Sequence, residues 1–292
     1  MDRQVQNGLL KGTDQEVHYL AEEEIMRQPA VADRFYPGSP NTLEHTISGF
    51  LPAEYEPDKK SAIAVVSPHA GYVYSGELAA KTLASVKIPK TVIIIGPNHH
   101  GAGSPIALSA KSWSMPFGSV PVDTDFSTLL LANSSQIKPD EIAHNSEHSL
   151  EVQIPFLQYF QKELSIVPLA VSDISLSACR EFAEVLVQTI KQSGKSVLFV
   201  ASTDMSHYES RESAERKDGL ALRCIKELEP EKLYYTVRDN NISMCGVLPV
   251  TITLFAAKIL GATSTKLVGY TDSGYVSGDS NQVVGYAGLS IS

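Results

Sequence analysis

Residues Ala62-Ile63-Ala64-Val65-Val66 run directly into Ser67-Pro68-His69-Ala70-Gly71-Tyr72-Val73-Tyr74-Ser75-Gly76, and then into the helix-forming Glu77-Leu78-Ala79-Ala80-Lys81. A short apolar run without polar alternation needs cover on both faces, as a central parallel strand has. Pro68 ends such a strand because it brings no N–H to the ladder, and Gly71 permits a sharp turn. In open α/β sheets, ligand sites lie just past the carboxyl ends of the strands. His69 therefore stands where chemistry is usually built. Alone, a histidine here is more commonly a hydrogen-bonded structural residue, but the design recurs. Thr91-Val92-Ile93-Ile94-Ile95 ends in Gly96-Pro97-Asn98-His99-His100, and Val197-Leu198-Phe199-Val200-Ala201 feeds Ser202-Thr203-Asp204-Met205-Ser206-His207-Tyr208.

Between these strands the apolar spacing predicts helices near 42–50, 76–86, 126–132, 143–160, 179–190, 212–228, 230–238 and 244–260. Shorter strands are predicted at 106–108, 166–171, 265–270 and 283–290. No internal repeat or linker-like break divides the 292 residues. The expectation is a single α/β domain over residues 27–292, with a mostly parallel or mixed central sheet flanked by helices. Residues 1–26 lack an apolar period and read as a polar N-terminal extension.

Composition narrows the function classes. No apolar stretch approaches the ~18 residues of a membrane span, and the polar, acidic start has no signal-peptide core, so a cytoplasmic location is expected. The net charge is -9 and no Lys/Arg cluster is present, which argues against nucleic acid as a partner. The three cysteines, Cys179, Cys224 and Cys245, form neither a disulfide framework nor a C-x-x-C pair. Cys179 and Cys224 fall on helical core stripes. Cys245, followed by Gly246 at a helix start, reads either as a small buried hydrophobe or as a thiolate favoured by the helix terminus.

Six of the eight histidines lie in four segments: His69, His99 with His100, His144 with His148, and His207. Alternating strands and helices place several of these segments on one sheet edge, and a convergent histidine cluster points to metal binding or proton transfer. His144 and His148 are four apart and would share a helix face, but the stretch is not H-E-x-x-H. A pocket-lining or supporting role fits the pair better than direct ligation. Asp204 and His207 share one loop, which suits a base histidine with a carboxylate nearby, although Asp204 reads equally as a turn former. Gly194-Lys195-Ser196 lacks the earlier glycine of a phosphate-binding loop, and neither a G-x-S-x-G nor a G-x-G-x-x-G stretch occurs.

The ordered segments Pro29-Ala30-Val31-Ala32, Pro68-His69-Ala70-Gly71-Tyr72, Gly96-Pro97-Asn98-His99-His100, Glu147-His148-Ser149-Leu150-Glu151, Ser202-Thr203-Asp204-Met205-Ser206-His207-Tyr208 and Met244-Cys245-Gly246 closely resemble the Memo family. That family is the middle member of the microbial AmmeMemoRadiSam gene cluster. The resemblance runs from Arg27 to Ser292, with Asp33 where relatives usually have glycine. It implies a fold similar to the catalytic subunit of class III extradiol dioxygenases, which are non-haem iron enzymes. It further implies a metal position ringed by His69, His99 and Cys245, with His207 as the acid/base histidine; Asp204, in the same loop, is the expected catalytic carboxylate beside it. His100, His144, His148 and Tyr72 are expected to line the substrate pocket. A thiolate in place of a carboxylate ligand would favour softer ions, so iron or copper is expected, with zinc a further candidate. The implied activity is that of a metal-dependent oxidoreductase on a small molecule. The rival readings are an adaptor that recognises a peptide in the old cleft and an accessory subunit to a radical-SAM partner.

Overall fold

The computed structural model describes residues 26–51 and 60–292. The expected extension, Met26 apart, lies outside the described residues. Strands β1 (Ala64–Ser67), β2 (Thr91–Pro97), β5 (Ser165–Val171) and β6 (Val197–Ser202) run parallel in the spatial order β5-β2-β6-β1. β3 (Ile106–Leu108) extends one side antiparallel to β5, with the two-residue β4 (Lys138–Pro139) beside it. On the other side β9 (Val283–Ile291) lies antiparallel to β1, and it also pairs with β7 (His207–Glu209) and β8 (Thr265–Asp272). The sheet is therefore mixed, with a parallel centre.

The parallel centre alternates its side chains between two cores, as the two-residue period of a strand requires. Ala64, Val66, Ile93, Ile95, Phe199 and Ala201 face one way, into a layer with Phe182 and Leu186 of helix α5 (Leu176–Ser193) and Val250 and Leu254 of α8 (Val247–Ile259). Val65, Val92, Ile94, Leu198 and Val200 face the other way, onto Leu43 and Ile47 of α1 (Pro40–Gly49), Leu83 of α2 (Glu77–Ala84), and Phe156 and Leu157 of α4 (Ile154–Phe160). Every residue of β2 is buried, which explains why its sequence reads as one apolar run. Cys179 and Cys224 are buried in the first of these cores.

Three local features depart from the sequence reading. Residues 143–160 do not form one helix: turns run to Leu150, a 3₁₀ turn spans Glu151–Gln153, and only then does α4 begin, with Pro155 in its first turn. The carbonyls of His144 and Glu147 are taken by the Arg27 guanidinium, which holds these residues in a non-helical loop. The chain between His69 and α2 is a π-helical turn, Tyr72–Gly76, a form that recurs at functional sites. Cys245 precedes the cap residue Gly246, so it stands just outside α8 instead of opening it. Asp33, the departure from the family pattern, sits at φ 61° and stabilises that left-handed turn by accepting the Gly38 N–H at 2.7 Å.

Candidate metal centre

His69, His99 and His148 bring one potential ligand atom each within 4.8 Å of one another, the reach of one bound ion. His69 is delivered by the end of β1, His99 by the end of β2, and His148 by the turn loop before α4. His69 is buried, and its backbone N–H donates to Asp204 Oδ1 at 2.8 Å. Its tautomer follows from its neighbours. Ser202 Oγ spends its only proton on the Ser149 carbonyl at 2.6 Å, and it already accepts the Gln153 amide at 3.0 Å. The 2.9 Å contact between His69 Nδ1 and Ser202 Oγ must then be donated by the ring, which leaves Nε2 unprotonated. Burial first, and then the neighbouring His148 and His99, push the His69 pKa well below its ordinary value. A neutral imidazole with an unprotonated inward nitrogen is what a metal ligand must be.

Glu147 does the same for His99. This fully buried carboxylate accepts the His99 backbone N–H at 2.6 Å, the Ser149 N–H at 2.8 Å, and the His99 Nδ1–H at 2.9 Å. Burial alone would raise the Glu147 pKa, but the His99 hydrogen bond and the Ser149 N–H outweigh it and lower the value to about 2. His148 Nδ1 lies 3.5 Å from the same carboxylate, and its ring stacks on His99 at 4.6 Å with an interplanar angle of 20°. Burial lowers the His148 pKa to about 4. A carboxylate that orients a ligand histidine from behind is the usual outer support of a metal site.

The other expected site residues divide by position. Cys245 Sγ stands 3.2 Å from His69 Nε2 and accepts the Asp204 N–H at 3.3 Å, but it is outside the mutually close group, whose third member is His148. Gly246 fixes its place, since a Cβ there would come within 2.4 Å of the Ser202 carbonyl oxygen. Burial, and then Asp204, push the Cys245 thiol above its usual range, so the helix terminus does not deliver a thiolate here. Asp204, itself raised to about 6 by burial, braces the His69 backbone and the Cys245 sulfur; no hydrogen bond joins it to His207. His207 is oriented by the Ser243 carbonyl, to which its Nδ1–H donates at 2.9 Å, leaving Nε2 free. His100 is exposed and donates to the Ser146 carbonyl.

Two expected pocket residues are placed in the protein interior. Tyr72 is 4% exposed, stacks on Phe156 at 4.3 Å and donates to the Val152 carbonyl. His144 is fully buried against Trp113, with Nε2–H on the Ala107 carbonyl at 3.1 Å and Nδ1 without a partner. Burial lowers its pKa from 6.5 to about 4. The unfolded chain therefore takes up this proton first, and stability should fall as pH drops from about 6.5 through 4. The expected loss is roughly 2–3 kcal/mol. Urea melts over that window should show a shallower pH slope in His144→Phe, and an unchanged slope would contradict the assignment.

Sequence reasoning gave no role to Arg27, Ser202, Gln153 or Ser243, and it treated Glu147 and Glu151 only as carboxylates beside the histidines. The Ser/Thr-rich strand end and the Glu147-His148-Ser149-Leu150-Glu151 stretch were the available signals, but neither distinguishes a supporting contact from a ligand.

The site thus defines the class: a single-domain α/β protein with a histidine centre at the carboxyl ends of its parallel strands. Comparison with known proteins agrees. The family model for Memo-like protein matches residues 27–290. A MEMO1 family protein of Aquifex aeolicus is 40% identical over 269 residues, covering 90% of this chain and 98% of the relative. One of Methanococcoides burtonii is 42% identical over 265 residues, covering 90% and 99%. The chain belongs to the Memo-like protein family. The crystal structure of an uncharacterized protein from Escherichia coli K12 shares the fold, with a TM-score of 0.51 and 13% identity over 78% of this chain and 99% of that one. No helix among the described residues is long and apolar enough to cross a membrane.

Proposed function

We propose that His69, His99 and His148 hold one first-row transition metal, iron or copper, and that the protein is a metal-dependent oxidoreductase acting on a small molecule. The observation that carries this reading is the fixed tautomers of His69 and His99. Ser202 and Glu147 take the outer protons, so that unprotonated nitrogens face one point. A cation would satisfy these convergent nitrogens together, whereas the Cys245 sulfur, 3.2 Å away, reaches His69 Nε2. No carboxylate belongs to the group, and the Cys245 thiol stands beside His69, a donor set softer than two histidines and a carboxylate. The metal would supply Lewis acidity and one-electron chemistry. The chain itself contributes ligand geometry through Asp204, Ser202 and Glu147, and a proton acceptor in His207 Nε2.

The test is elemental analysis and anaerobic titration with Fe(II) and Cu(I). About one ion per chain is expected in wild type, and His69→Ala and His99→Ala should lose more than the ~10–100-fold of affinity that outer supports cost. Cys245→Ser should leave metal affinity close to wild type, because the Cys245 thiol stands outside the three-histidine group. His207→Ala should retain the metal and lower turnover by about 10²–10⁴-fold. A wild-type protein that binds neither ion stoichiometrically would sink the proposal and leave the cleft as a recognition site for a peptide.

A further inference from the structure

Among the described residues six carboxylates are buried. Asp123, Glu147, Glu151 and Asp272 each lie against a cation or an imidazole, and Asp204 braces His69. Asp218, in the middle of helix α6 (Arg211–Lys226), has no such partner. Only donors reach it. Its Oδ1 accepts the Ser206 N–H at 2.9 Å and the Ser206 hydroxyl at 2.6 Å, and its Oδ2 accepts the Tyr270 hydroxyl at 2.8 Å. Burial raises its pKa, the sign of a carboxylate held out of water with no cation beside it. The fold nevertheless makes room for it, since a Cβ at Gly285 of β9 would stand 2.1 Å from Oδ2. An apolar side chain would occupy this place without the desolvation cost.

What the carboxylate does shows in the residue it grips. Ser206 lies between Asp204 and His207, and all three of its polar groups are held. The N–H and hydroxyl go to Asp218, and the carbonyl accepts the Gly285 N–H at 2.9 Å. Strand β7 by itself holds His207 weakly. It is three residues long, and its register against β9 breaks at Tyr208, which is strained at φ 57°. The His207 N–H donates to Ser243 Oγ at 2.7 Å and its Nδ1–H to the Ser243 carbonyl at 2.9 Å, and both bonds require the loop to stay in place. A charge on His207 lowers the pKa of both His69 and Asp204, so the ring is within electrostatic reach of the centre.

We infer that Asp218 is the positioning residue of His207: by clamping both donors of Ser206 it fixes the backbone that carries His207, so that Nδ1–H stays on the Ser243 carbonyl and Nε2 stays free. The inference rests on the reading of His207 as the proton acceptor and adds the residue that sets its place and tautomer. One ionised oxygen that takes two donors from the same residue is a stronger clamp than a neutral acceptor, and a hydrocarbon gives none.

The test reads the His207 tautomer by ¹H–¹⁵N NMR of the histidine rings in the metal-free full chain near pH ~8, where an ordinary histidine is neutral. Wild type should show His207 as Nδ1–H. In Asp218→Ala the released ring should pass to predominantly Nε2–H, the form imidazole favours in water. Asp218→Asn keeps an acceptor oxygen for Ser206 and turns its NH₂ group to the Tyr270 hydroxyl, so it should restore Nδ1–H. Tyr270→Phe breaks only the Oδ2 contact and should keep the wild-type tautomer. Nδ1–H in a folded Asp218→Ala protein overturns the inference, as does Nε2–H in wild type. A shift in Tyr270→Phe as large as that in Asp218→Ala also overturns it, because general loosening around α6 would then suffice. If Asp218→Ala does not fold, Ser206→Ala decides, since it removes the shorter of the two Ser206 bonds: a shift toward Nε2–H supports the inference and an unchanged tautomer overturns it. No metal enters this measurement. Failure of wild type to load an ion therefore removes the proton-acceptor reading, whereas an unchanged tautomer removes only the role of Asp218.

Discussion

Replacing Arg27 by methionine should destabilise the fold by about 3–5 kcal/mol, the cost of leaving one partner of a buried ion pair behind. Arg27 is 3% exposed, and its guanidinium lies 3.9 Å from the centre of the Trp113 ring. Nη1 donates to Glu151 Oε2 at 2.5 Å, Nε to the His144 carbonyl at 2.9 Å and Nη2 to the Glu147 carbonyl at 2.7 Å. Glu151 is also fully buried and accepts the Ala30 N–H, the Val31 N–H and the Tyr36 hydroxyl. The pair is therefore a junction, joining residues 27–36 to residues 144–151. Many buried ion pairs can be replaced by apolar residues at little cost. This one should not be, because Arg27→Met with Glu151→Leu would strand three further donors. Urea denaturation of both variants checks the expectation. A loss below about 1 kcal/mol in Arg27→Met, or full recovery in the double variant, would contradict it. Arg27→Lys should also be costly, since one ammonium cannot reproduce the planar fork.

In Glu147→Gln, metal affinity should fall about 10–100-fold. The charged carboxylate holds His99 at both its backbone N–H and its Nδ1–H, and it stays ionised to low pH because these donors outweigh its burial. Glutamine keeps one acceptor oxygen but turns an NH₂ group toward donors that already point inward. The His99 tautomer loses its anchor, and the ligand nitrogen loses basicity. Chelator competition against wild type measures the effect, with His100→Ala as a control expected to bind as wild type does, because His100 is exposed and its one hydrogen bond among the described residues is to the Ser146 carbonyl. Unchanged affinity in a folded Glu147→Gln protein would remove Glu147 from the centre. Because Arg27 holds the Glu147 carbonyl, Arg27→Met should show part of the same affinity loss.

The sheet was legible because its central strands are buried on both faces. Residues 91–95 and 197–201 can be read only as core, and the helices on either side announce themselves by a 3.6-residue apolar period. That His69, His99 and His207 all follow strand ends was legible for the same reason, since the crossover rule puts those ends on one edge. Residues 143–160 misled because Leu150, Ile154 and Leu157 keep helical spacing even though the first half is a loop. The residue that prevents the helix, Arg27, lies more than 115 positions earlier.

Sequence by itself determined the single α/β domain, the strand ends that carry histidines and the burial of Cys179 and Cys224. These follow from the order and period of neighbouring residues. Only the tertiary structure decided that His148 completes the group with His69 and His99, that the Cys245 thiol is held protonated beside them, that His144 and Tyr72 are interior, and that Tyr208 is strained. Each of these depends on a through-space partner: the Glu147 carboxylate, the buried Asp204, the Trp113 and Phe156 rings, and the β9 strand that forces the bulge. Hydrogen bonds, desolvation and backbone strain are set by what the folded chain brings within a few ångströms, and no local pattern of residues encodes that.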